Sequence, residues 1–330
     1  MLPELTFISS FFKKLEEEEI AYAILRNAKD IVNGDGHDID LTVDFKKWDK
    51  IESIIKRLSR EQGWKVHFKA LKDCNNLYAI HLFHIEDGIP QIIHFDFFRA
   101  FGWNGYQLIP YSKLLLERKK EYGVYVASNA VQAVTMLFSR FLYQGYIKEQ
   151  YKKQIQTTFQ AEAMQVKWLM TEFLTHEFVE NIFEDVLNSD WDNIEQEQYV
   201  IRRNIVAKLS GNQKFVSLKM KLFMARRMSH KTGAIISVAE NVSIGCVREL
   251  VKEVQKLLSR TFAEEDTRIL MGGYADTLKN KLKYRILLAK GNLIAIRSSN
   301  NKGNVAIDCE NIKPEDVACS ILDTMSRRYE

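Results

Sequence analysis

The alternation of polar and apolar positions is sharpest at Gly36-His37-Asp38-Ile39-Asp40-Leu41-Thr42-Val43-Asp44. Side chains of a strand point alternately to its two faces, so Ile39, Leu41 and Val43 face a core while Asp38, Asp40 and Thr42 share the other side. Further on, Ile92-Ile93-His94-Phe95-Asp96-Phe97-Phe98 is an apolar strand with a single carboxylate at its middle. Helical spacing of Leu5, Ile8, Phe11, Phe12 and Leu15 predicts a helix over 4–19, and Trp48, Ile51, Ile54, Ile55 and Leu58 predict an amphipathic one over 48–62. Strands are expected at 21–26, 65–69, 77–84 and 91–98, with Glu86-Asp87-Gly88 as a hairpin turn and Asn33-Gly34-Asp35-Gly36 within a loop over 28–36. This order describes a small mixed sheet with helices packed on one face.

The pattern then becomes helical. Val131, Val134, Leu137, Phe138, Phe141 and Leu142 make one apolar face over 128–155, with Ser128 and Asn129 as cap candidates. Residues 156–230 are nearly free of Gly and Pro and continue helical, closing on a basic segment at Lys219 to Arg227 and a linker at 229–233. Ala234-Ile235-Ile236-Ser237-Val238 reads as a buried strand, followed by a loop and a helix over 247–258. Further strands are expected at Leu293-Ile294-Ala295-Ile296-Arg297 and Val305-Ala306-Ile307, and a last helix from Pro314 to Arg328. The fold class is therefore α/β: an α+β core over 1–127, a helical connecting region over 128–230, and a small α/β domain over 231–330.

Composition narrows the classes. A chain of 330 residues can hold about two ordinary domains, each with a substantial core. With 46% hydrophobic and 27% charged residues it is not disordered in type, and a net charge of +4 is too small to indicate nucleic acid by itself. Cys74, Cys246, Cys309 and Cys319 lie far apart without Cys-x-x-Cys pairing, which excludes a zinc ribbon and fits a reducing compartment. There is no secretory-type leader and no long apolar run of membrane-spanning length, so a cytoplasmic protein is expected.

Asp38, Asp40 and Asp96 carry the candidate chemistry. Carboxylates on one sheet edge repel unless a cation neutralises them, and hard oxygen ligands suit Mg²⁺ or Mn²⁺. The competing explanation is a wet strand face. Against it, Asp is a poor strand former and Asp96 is flanked by Ile, Phe and Phe rather than polar residues. His37 lies on the opposite parity to Asp38 and reads as structural. His94 shares parity with Asp96 but, inside an apolar strand, is read as a hydrogen-bonded core residue, so it is left out of the metal set, as are His81 and His84.

The order of Tyr22-Ala23-Ile24-Leu25-Arg26-Asn27, a Gly-rich loop, Asp38-Ile39-Asp40-Leu41 and His94-Phe95-Asp96 resembles the nucleotidyltransferase superfamily typified by DNA polymerase β. It resembles more closely the bacterial nucleotidyltransferase-like proteins of surface-polysaccharide gene clusters. The likeness continues through Phe98-Arg99-Ala100-Phe101-Gly102-Trp103-Asn104-Gly105 and Leu142-Tyr143-Gln144-Gly145-Tyr146-Ile147-Lys148-Glu149-Gln150-Tyr151, covering roughly the first half. It implies a nucleoside triphosphate substrate, two cations held by Asp38, Asp40 and Asp96, and a sugar, glycan intermediate or small-molecule hydroxyl as acceptor. A polynucleotide acceptor is not favoured; a homo-oligomer or a polysaccharide-assembly partner is compatible.

Where the superfamily carries Gly-Ser, this chain has Arg26-Asn27. Arg26 can hold phosphate with its fork and Asn27 can donate from its amide; the alternative for Arg26 is an ion pair with the Glu16 to Glu19 run. Tyr143, Lys148 and Lys152 are candidates to stack on a base and hold phosphate, against aromatic packing with solvated lysines.

In the last hundred residues, strand, loop and helix resemble a degenerate thymidylate-kinase-like domain with a P-loop setting. Glu240 stands where the first Gly belongs, Gly245 keeps the last, Cys246 replaces the Lys, Val247 replaces the Ser or Thr, and Arg297 alone survives of a catalytic trio. Such a loop lacks the phosphate-binding charge and the magnesium hydroxyl, so ATP binding there is not expected. The alternative for the whole chain is a non-catalytic scaffold in which both halves are relics.

Overall fold

In a computed structural model, the structure describes residues 3–34, 38–213, 216, 218–219, 234–238, 242–258, 267–270, 293–297, 305–307 and 313–327. Its N-terminal sheet has seven strands in the order β3-β4-β5-β2-β1-β9-β8. These are β1 (Tyr22–Ile24), β2 (Asp38–Val43), β3 (Lys65–Lys72), β4 (Leu77–Glu86), β5 (Ile89–Phe98), β8 (Lys119–Glu121) and β9 (Val124–Val126). β2 runs antiparallel to β1 but parallel to β5, so the sheet is mixed.

The alternation in β2 is realised as expected. Ile39, Leu41 and Val43 join Phe95 and Phe97 of β5 in a core closed by helices α1 (Pro3–Glu17) and α3 (Trp48–Glu61). Phe11 anchors that core, its ring 5.0 Å from Phe95 and 6.2 Å from Phe97. Burying aromatic rings of this size supplies most of the favourable term that fixes strand register. Asp87 and Gly88, with φ of 50° and 80°, form the left-handed turn expected between β4 and β5.

Three elements differ from expectation. The stretch expected as loop over 28–36 contains a short helix, α2 (Ala28–Asn33), entered through Asn27 and left through Gly34, both left-handed. Only Ile31 of it is buried, too little apolar periodicity for its helical character to show in the sequence. The single helix expected over 128–155 is two, α5 (Asn129–Gln144) and α6 (Glu149–Ala161), because Gly145 adopts φ 86° and ends the first. Between Phe98 and Ser128 lie a hairpin of β6 (Ala100–Trp103) and β7 (Tyr106–Pro110), a short helix α4 (Tyr111–Leu114), and the strands β8 and β9. These strands are three to five residues long, too short to present a readable alternation.

Ser128 caps α5, accepting from the Val131 amide at 3.4 Å. At its other end Arg202 donates twice to the Leu142 carbonyl, at 3.0 and 2.6 Å, and satisfies an acceptor the helix itself leaves open. Helices α7 (Ala163–Met170), α8 (His176–Leu187), α9 (Trp191–Gln196) and α10 (Gln198–Ser210) complete the helical region. Its core is continuous with Ala23, Leu25, Phe101 and Leu114 of the preceding segment.

The C-terminal unit is a four-stranded parallel sheet in the order β11-β12-β10-β13, formed by β10 (Ala234–Val238), β11 (Thr267–Leu270), β12 (Leu293–Arg297) and β13 (Val305–Ile307). Helices α11 (Ile244–Leu257) and α12 (Pro314–Ser326) pack on it, and Phe83 of β4 and Ile92 of β5 join their core. The fold is thus of the α/β class, with a helical region between its two sheets. The expected linker at 229–233 and the segments 220–227 and 239–241 lie outside the described residues.

Candidate functional site

The parallel register of β2 and β5 sets Asp40 directly beside Asp96, and Asp38 beside His94. All four lie on the face opposite the α1/α3 core. On β5 that face runs Ile92, His94, Asp96, Phe98. Ile92 is covered by the C-terminal unit and Phe98 packs against the helical region. The carboxylates therefore occupy the strip between two covers. Asp38 opens to solvent, its side chain 78% exposed, whereas the Asp40 side chain is 11% exposed.

Arg26 follows β1, whose Leu25 amide donates to the Asp40 carbonyl at 2.8 Å and brings the next residue alongside β2. Its Nε donates to Asp40 Oδ2. The ion pair with Glu16 to Glu19 is not formed: Glu16 pairs with Lys120, Glu17 with Lys14 and Glu18 with Lys50. The buried carboxylate offers Arg26 a less screened partner than the exposed glutamates do.

Burial pushes the Asp40 carboxyl up, Arg26 pulls it down by charge and hydrogen bond, and Asp96 and Asp38 push it up again; the net direction is upward. Burial works against the Arg26 charge, but Asp40, Tyr151 and Asp96 outweigh it and hold the guanidinium protonated. One guanidinium thus faces several carboxylates that still repel one another.

A row of imidazoles extends from the carboxylates across the sheet. His94 Nδ1 lies 2.9 Å from Asp38 Oδ1, and the His94 ring stacks on His81 at 3.8 Å and 19°. His67 follows at 5.9 Å, fully buried, with its pKa lowered well below the usual value by burial first and then by His94. His94 is buried, as the sequence suggested, and its partner is Asp38. His81 is its cross-strand neighbour, a pairing that needs the β4–β5 register.

Of the other candidates, Asn27 is the left-handed residue that turns the chain into α2, and its side chain makes no cap bond. Asn tolerates that conformation better than most residues. Tyr143 donates to the Gly102 carbonyl at 3.4 Å, and Lys152 pairs with Glu149 at 2.7 Å, so both are engaged elsewhere. Lys148 lies over the Tyr151 ring at 5.4 Å. Tyr151 is buried on α6 and packs in the core of the helical region.

The carboxylate set has the chemistry to hold a hard divalent cation, and the mutual repulsion of Asp38, Asp40 and Asp96 is what such an ion relieves. Among the described residues, no three His, Cys, Asp or Glu side chains converge as a metal cluster in this conformation. Asp40 is held by Arg26 and Asp38 by His94.

At the C-terminal turn, helix α11 begins at Ile244, and Ser243 accepts from the Cys246 amide at 3.2 Å. Cys246 is exposed and Val247 buried; Glu240 lies outside the described residues. No helix among the described residues is long and apolar enough to cross a membrane. Comparison with known proteins gives no match to a family model, to a curated protein or to a solved structure.

Proposed function

We propose that the chain is a metal-dependent nucleotidyltransferase that transfers a nucleotidyl group to a hydroxyl of a sugar, glycan intermediate or small molecule, with surface-polysaccharide biosynthesis as its setting. The observation that carries this is the pairing of Asp40 with Asp96 across parallel strands, with Asp38 on the same face. Asp38, Asp40 and Asp96 would hold Mg²⁺ or Mn²⁺. The bound ion would neutralise the triphosphate and acidify the acceptor hydroxyl. Arg26, beside the carboxylates, binds and orients phosphate through its planar fork. Asp96 accepts the proton of the acceptor hydroxyl as its oxygen bonds to the α-phosphorus. The bond from that phosphorus to the bridging oxygen breaks, and pyrophosphate leaves with the electron pair. His94 holds Asp38 in place from the neighbouring strand.

The test is calorimetric titration of the four nucleoside triphosphates, with and without Mg²⁺, into native protein and an Asp38→Asn/Asp40→Asn variant. Metal-dependent binding that disappears in the variant is expected. Absence of such binding in both would favour the second reading, a non-catalytic scaffold. A specific observation supports that one too: Asp40 is already paired with a residue of the chain itself.

A further inference from the structure

Arg26 is placed to do more than bind phosphate. It meets Asp40 through Nε and one carboxylate oxygen, a single contact and not the two-point fork of a fully committed Arg–carboxylate pair. Both side chains are largely withdrawn from water, 22% and 11% exposed. Leaving Asp40 without a cation there is costly, because Asp96 and Asp38 press on the same carboxyl. A guanidinium brings one positive charge to this cluster; a divalent ion brings two, together with tighter oxygen coordination. The two cations therefore want the same oxygen, and Arg26 needs another anion if it is to leave.

We propose that Arg26 and a divalent cation compete for the Asp40 carboxylate, so that Arg26 is a latch on metal loading, released when the phosphates of an incoming triphosphate take over its fork. This rests on the metal-dependent reading given above. A latch of this kind lowers apparent metal affinity by the fraction of molecules in which Asp40 is open. It also ties tight metal retention to the presence of the anionic substrate.

The experiment is Mn²⁺ binding to the full chain, read by the loss of the free-ion paramagnetic resonance signal, with Mn²⁺ as the only added ligand. Native protein, Arg26→Gln, Arg26→Lys, Asp40→Asn and the Arg26→Gln/Asp40→Asn double variant are compared, each checked by thermal unfolding. Arg26→Gln should bind Mn²⁺ about tenfold more tightly or better, as expected if Asp40 is open in about a tenth of native molecules. Arg26→Lys should tighten it less, and the double variant should lose the gain. Should Arg26→Gln not fold, Arg26→Lys decides, because it keeps the charge and removes the Nε contact.

Equal Mn²⁺ affinity in native protein and Arg26→Gln, with loss in Asp40→Asn, would overturn the latch and leave the metal site standing. Arg26→Lys equal to native beside a tightened Arg26→Gln would also overturn it, since charge alone would then be responsible. Binding by none of the variants would overturn both the latch and the metal-dependent reading.

Discussion

The chain passes from a strand into a helix after β1 and again after β10, and the residues at the two helix starts carry different chemistry. After β1, Arg26 sets a charge against Asp40 and Asn27 swings the chain into α2. After β10, Ser243 closes on the Cys246 amide while Val242 and Val247 sink into the core. In the second, a donor that could have met an anion is satisfied internally, and Cys246 offers no fixed positive charge. A strand-to-helix turn is architecture; charged groups brought together where water is largely withdrawn are what make it a candidate for chemistry.

Phe83 and Ile92 belong to both halves, and Phe83 has the larger side chain. Phe83 lies in the N-terminal sheet yet packs in the C-terminal core. Phe83→Ala should cost about 3–5 kcal/mol in denaturant unfolding. It should also loosen the two halves together in hydrogen exchange. Loss of protection in the C-terminal strands alone would show that the halves are energetically separate.

Arg26→Ala removes the cation from a buried pair and should cost about 3–5 kcal/mol, part of it recovered when Asp40→Asn is added. The sign with pH follows from Asp40. Its raised pKa means that the folded state binds this proton more readily than the unfolded chain, so its contribution falls as pH rises through the raised value. Without Arg26 that loss should move to higher pH, which urea titrations across the acid range can follow. Unchanged stability and pH profile would place Arg26 outside the electrostatics of the site.

A smaller effect is expected from His67. Its depressed pKa means that its share of stability is present above the unfolded value and lost as pH falls towards the folded one. The slope is at most about 1.4 kcal/mol per pH unit. His67→Leu should flatten the acid limb of the stability curve, and an identical limb would show that His67 is protonated without penalty. Lys65 and Asp323, paired at 2.6 Å between β3 and α12, are substantially exposed, so Lys65→Ala should cost no more than about 1 kcal/mol. A larger loss would make this contact, and not the Phe83 packing, the main tie between the halves.

Cys246→Lys should do least. Val247 still supplies no hydroxyl, and ATP binding by calorimetry should remain undetectable at that turn. Binding created by this one change would mean that the two turns differ by a single charge.

The order of elements determined much of this in advance. Alternation in Asp38-Ile39-Asp40-Leu41-Thr42-Val43 told which residues would face the helix-covered core, and the spacing of Phe11, Ile51 and Ile55 told which helices would cover it, because burial of apolar area is periodic and local. The short strands β6 to β9 and the helix α2 carried too few periodic positions to be read. What only the tertiary structure decided was pairing across distance: Arg26 with Asp40 in place of Glu16 to Glu19, Asp38 with His94, and His94 with His81. Each depends on strand register and on which charges lose their water, and neither is encoded in the spacing of residues along one strand.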